Sequence, residues 1–134
     1  MQKMQKIPVK IADDLEIYLT PGNHNKLIKD IITEFAPRYA PGSQLIYVGD
    51  TGDKWCYFNE KILKNLGTEI NHHGKMPDVI LYDSIKKWLL LIEAVTSHGP
   101  IDGKRHDELT QLFGNCNAGL VYVTTFPYFP LAKK

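Results

Sequence analysis

A mixed β-sheet with flanking helices, ordered αβββαβ within one α/β domain, is what this sequence of 134 residues predicts. Three observations carry the prediction. An apolar stripe at helical spacing lies in the N-terminal third. Two dense apolar runs at 79–82 and 88–95 flank a polar turn at the centre. A second helical stripe near the end precedes a run of apolar and β-branched residues.

In the first of these segments, residues 25–35, Leu27, Ile28, Ile31, Ile32 and Phe35 recur at the helix period. Pro37, with no N–H to continue the ladder, ends the pattern. Residues 44–48 form a short apolar strand closed by Gly49-Asp50-Thr51-Gly52. Residues 55–58 are a candidate extension of the sheet, and 60–66 a short helix. Residues 79–82 read as one strand, 83–87 as a polar turn, and 88–95 as the antiparallel partner. After a loop at 96–100, Asp102 stands where it would cap a helix over 103–113, with Leu109, Leu112 and Phe113 on its core face. The strand at 119–124 follows that helical crossover and therefore pairs in parallel, which makes the sheet mixed.

A chain of this length buries a sufficient core as one domain, 1–134, without disulfides. Apolar residues make up 43% and charged residues 23%, the balance of a globular protein. No apolar stretch approaches the roughly 20 residues that span a bilayer. The opening residues carry no signal-peptide core, so a cytoplasmic location without membrane contact is expected. Cys56 and Cys116 have no CxxC spacing and read as reduced packing residues. A net charge of +1 neither demands nor excludes nucleic acid; a DNA-facing surface would rest on local clusters such as Lys86-Lys87 and Lys104-Arg105. His72, His73, His98 and His106 lack the spacing of a zinc site.

The chemistry concentrates at one end of the central hairpin, where Pro77-Asp78 opens the first strand and Glu93 lies near the close of the second. Two ionised carboxylates only accept hydrogen bonds and repel each other, so a hard divalent cation relieves the repulsion and can activate water against phosphate. Solvated strand-end residues are the plain alternative. Glu34 falls one heptad after Leu27, at the edge of the helical stripe, and offers a third carboxylate. Asp50, inside the GDTG turn, reads as a turn residue.

Three long stretches, EFAPRYAPGSQLIYVGDTGDK from Glu34, KMPDVILYD from Lys75 and LLLIEAVTSHGPIDGKRHDEL from Leu89, resemble the BsuBI/PstI family of restriction endonucleases within the PD-(D/E)xK nuclease superfamily. The resemblance runs from about Thr20 to Pro127. It implies the restriction-endonuclease-like form of the αβββαβ core and Mg2+-dependent hydrolysis of double-stranded DNA, with CTGCAG as a first target and a homodimer as the working unit. It also implies that the chain is a fragment or a truncated form of a longer enzyme. Asp78 and Glu93 take the catalytic, metal-binding positions, with Glu34 assisting. The superfamily's lysine, two residues after the second carboxylate, is replaced here by Val95. Lys104 is the candidate to supply that charge and Lys75 the runner-up, while His98, Arg105 and Lys75 are candidate DNA contacts. Two other readings stay open: a nuclease fold that binds DNA without cutting it, and a protein-interaction domain using Phe126, Tyr128 and Phe129.

Overall fold

The computed structural model describes residues 6–12, 14–49, 56–68, 76–95 and 103–126, the side chains of residues 12 and 103–105 excepted. Two paired antiparallel strands come first, β1 (Ile7–Ala12) and β2 (Leu15–Leu19). The sequence reading assigned no element here. The alternation that buries Val9, Ile17 and Leu19 is short, and Pro8 weakens it as a strand signal.

Helix α1 (Asn23–Asp30) runs through a π-helical turn (Ile31–Phe35) directly into α2 (Ala36–Tyr39). Pro37 was expected to end the helix and instead sits inside it. A proline ring collides with the carbonyl four residues back and leaves it without a donor; the wider π turn immediately before Pro37 accommodates both effects. The Thr33 hydroxyl bonds back to the Lys29 carbonyl at 2.9 Å on the same stretch.

The remaining elements are β3 (Gln44–Val48), β4 (Tyr57–Phe58), α3 (Glu60–Asn65), β5 (Val79–Asp83), β6 (Trp88–Ala94), α4 (Gly103–Phe113) and β7 (Gly119–Thr125). They match the expected order within one or two residues, and the mixed α/β class holds. Residue 55 of the candidate sheet extension and the proposed cap Asp102 lie outside the described residues. The five-stranded sheet has the order β4-β3-β5-β6-β7, with β6 and β7 parallel and the other pairs antiparallel.

Strands β5 and β6 are covered on both faces, which is why they read as continuous apolar runs rather than as alternation. Leu27, Ile28 and Ile31 pack with the β1–β2 hairpin over Val79, Leu81, Leu90 and Ile92. On the other face, Leu63 of α3 and Leu109 and Phe113 of α4 cover Ile46, Ile80, Leu89 and Leu91. A bulge between Leu45 and Tyr47 lets Ile46 and Tyr47 both join this second core. At the far end of the β5–β6 hairpin, Asp83 Oδ1 accepts the amides of Ile85 and Lys86, each at 3.1 Å, and Lys87 takes φ 59°.

Phe113 is fully buried and anchors the last turn of α4. Phe113→Ala is expected to lower unfolding free energy by about 3–5 kcal/mol, read from the midpoint shift in urea denaturation.

Candidate active site

Asp78 precedes β5 at the end of the sheet where β6 finishes. Its amide donates to the Ile92 carbonyl at 3.0 Å, and its carboxylate Oδ2 accepts the Ala94 amide at 2.7 Å. Asp78 is therefore anchored to the residues on both sides of Glu93. The β5–β6 ladder closes with Val79 opposite Ile92. Two residues further, the same register would set Pro77 opposite Ala94, and proline has no N–H to offer. The Ala94 carbonyl therefore finds no backbone donor there, and the Ala94 amide goes to the Asp78 side chain. Glu93 is half-buried, continuing the Leu89 and Leu91 face of β6, and its carbonyl accepts the Thr125 hydroxyl at 3.2 Å.

The Ala94 carbonyl is bonded by His24. The His24 Nε2 lies 3.1 Å from this oxygen and 3.5 Å from Asp78 Oδ2. A carbonyl and an ionised carboxylate only accept, so Nε2 carries the proton. The contact with the Asp78 carboxylate raises the His24 pKa above the ordinary histidine value, against burial, which lowers it. Sequence reasoning weighed four other histidines and passed over His24. The available signal was a histidine in the first helical turn after Pro21-Gly22, but the helix was begun at residue 25, and the partner at Ala94 is 70 residues away.

The hairpin register sets Asp78 and Glu93 on neighbouring strands at one end of the sheet, whereas Glu34 lies away from them. Glu34 is exposed, ten residues along the same helical rod from His24, which is about 15 Å at 1.5 Å per residue. Its charge acts on Asp30, whose carboxyl is pushed up first by burial and then by Glu34. Lys104 and Arg105 lie in the first turn of α4, with side chains outside the description; His98 and Lys75 are outside the described residues altogether.

Tyr47 borders the site. Its ring packs beside Gly49, whose amide bonds the Asp78 carbonyl at 2.9 Å. Burial, and secondarily the Asp78 charge, push the Tyr47 hydroxyl pKa up, so it stays a neutral phenol. Among the described residues no three His, Cys, Asp or Glu side chains form a metal-sized group. Magnesium needs no such cage, since one or two carboxylates with water and phosphate oxygens complete its shell. Asp78 and Glu93, on neighbouring strands, have the acceptor-only chemistry such a shell would draw on.

A group whose pKa is raised by folding contributes stability that is complete below its unfolded pKa and lost as pH rises through the folded one. In EDTA, the melting-temperature advantage of the wild type over His24→Leu is expected to be larger at about pH 6 than at about pH 8.5. Calorimetry across that range checks the sign.

The sequence profile described as the BsuBI/PstI restriction endonuclease domain matches residues 7–132. The chain is 63% identical over 126 residues to the type II restriction enzyme BsuBI of Bacillus subtilis, covering 94% of this chain and 40% of that protein. It is 32% identical to the type II restriction enzyme AplI of Arthrospira platensis, covering 99% of this chain and 43% of that protein. The solved structure of the SdaI restriction endonuclease superposes with a TM-score of 0.82 at 45% identity, over 90% of this chain and 38% of the other. The chain therefore spans about two fifths of the length of these relatives. With the profile matched over nearly its whole length, the chain belongs to the BsuBI/PstI restriction endonuclease domain family.

Proposed function

We propose that this chain is the catalytic domain of a type II restriction endonuclease, hydrolysing phosphodiester bonds of double-stranded DNA with Mg2+ held by Asp78 and Glu93. The observation that carries the reading is the anchoring of Asp78 across the residues that flank Glu93, at the open end of the central hairpin, in a chain of this family. Bound there, the cation would supply activation of water and neutralisation of phosphoryl charge. The chain's own contribution is placement. The Ala94 amide fixes Asp78, and the short β5–β6 hairpin holds Glu93 on the neighbouring strand, with no long loop between the two carboxylates.

Because α4 links β6 to the parallel strand β7, its first turn lies after the end of β6 that carries Glu93. Lys104 in that turn is proposed to stabilise charge on the phosphate in place of the lysine missing at Val95. Arg105, His98 and Lys75 are proposed to contact DNA. The family resemblance suggests the palindrome CTGCAG. Cutting both strands of a palindrome requires two active sites related by a two-fold axis, hence a homodimer working in the cytoplasm. Val95 favours one second reading, a DNA-binding module that has lost catalysis.

Plasmid cleavage separates the two readings. The chain is expected to cut supercoiled plasmid bearing CTGCAG in Mg2+ and not in EDTA. Asp78→Asn and Glu93→Gln are each expected to lose more than about 100-fold in rate, beyond what loss of a ligand's outer partner costs. DNA binding by a folded wild type without cutting, unchanged by EDTA, would leave the binding module as the correct reading.

A further inference from the structure

We propose that His24 is a positioning residue of the nuclease centre: its Nε2–H holds the Ala94 carbonyl beside the Asp78 carboxylate and so determines which Asp78 oxygen faces the cation. The inference rests on the nuclease reading above and adds a residue to it.

An aspartate's two oxygens interchange by rotation about a soft terminal torsion unless something distinguishes them. Here both donors converge on Oδ2: the Ala94 amide at 2.7 Å and, more distantly, His24 Nε2 at 3.5 Å. Among the described residues no hydrogen bond to Oδ1 is formed, so that oxygen is the one left for a ligand. A carboxylate with one oxygen hydrogen-bonded and the other presented is the arrangement in which outer partners tune metal affinity.

The backbone that carries His24 is tied down on both sides. Asn25 is fully buried, and its Nδ2 donates to the Thr20 carbonyl at 2.8 Å, tying the end of β2 to the first turn of α1. Gly22 takes φ 148°, which side-chain-bearing residues rarely adopt, and its carbonyl receives the Lys26 amide at 3.0 Å. The Thr20-Pro21-Gly22-Asn23 turn thus aims the start of α1 at the sheet end. In return, His24 satisfies a carbonyl on Ala94, which is only 7% exposed and faces a proline across the extended register.

A merely structural histidine would lower stability when removed and leave metal affinity untouched, so the test reads both. Mn2+ binding to the purified chain is followed by electron paramagnetic resonance, alongside melting temperature and the Mg2+ dependence of plasmid cleavage. His24→Ala is expected to weaken Mn2+ binding about tenfold or more and to raise the Mg2+ concentration for half-maximal cleavage in parallel, with KM for DNA little changed. His24→Gln, whose amide nitrogen can take the place of Nε2, is expected to restore most of the affinity, and His24→Asn, which is too short, is not. The Gln and Asn proteins carry the comparison if the alanine protein does not fold. Wild-type Mn2+ affinity in folded His24→Ala, or no advantage of Gln over Asn, overturns the proposal. A wild type that binds no Mn2+ and is indifferent to Asp78→Asn overturns the nuclease reading itself, an outcome distinct from the first.

Discussion

The backbone of Ala94 is the constraint on which the site depends. Its amide and carbonyl face the edge of β5 just where Pro77 interrupts the ladder, and neither can be left unpaired in a nearly buried strand without a cost comparable to a lost hydrogen bond. Asp78 takes the amide and His24 takes the carbonyl. The proline leaves that carbonyl without a backbone donor, which the imidazole supplies, while the Asp78 carboxylate holds the amide.

The surrounding layers make that arrangement stiff. β5 and β6 are packed from both sides, and Val79, Ile80, Leu91 and Ile92, the residues next to the site, are all fully buried. Close-packed interiors have little room for adjustment, so the relative placement of Asp78 and Glu93 is inherited from the core. The same packing has an electrostatic side. The Asp78 charge favours protonated His24 and disfavours ionised Tyr47, so the metal-free site holds one carboxylate beside a histidine and a neutral phenol.

The helical rod that supplies His24 also crosses a difficulty of its own. Pro37 lies within it, and the π turn at Ile31–Phe35 lets the helix continue to Tyr39. The N-terminal end of the rod meets the sheet at Asp78, while the exposed Glu34 lies at the rod's other half, beside Asp30. One helix thus carries both residues, and the rise of the helix decides which of them reaches Asp78.

Sequence alone determined the elements whose periodicity is local: the helix stripe from Leu27 to Phe35, the hairpin that sets Asp78 beside Glu93, the crossover helix ending at Phe113 and the parallel last strand. Their apolar spacing records the face each one buries, and that is legible without partners. The placement of Asp78 and Glu93 on neighbouring strands was legible for the same reason, since a hairpin joins residues close in sequence. Tertiary structure alone decided the remainder. The β1–β2 hairpin is short and carries Pro8, and it gains its burial from the helical rod and the sheet residues packed with it. Pro37 was tolerated because the turn before it could widen, a choice made by packing rather than by propensity. His24 entered the site, and Glu34 did not, because the contact with Ala94 spans 70 residues. No local pattern records a distance of that kind; it exists only once the helix has docked on the sheet.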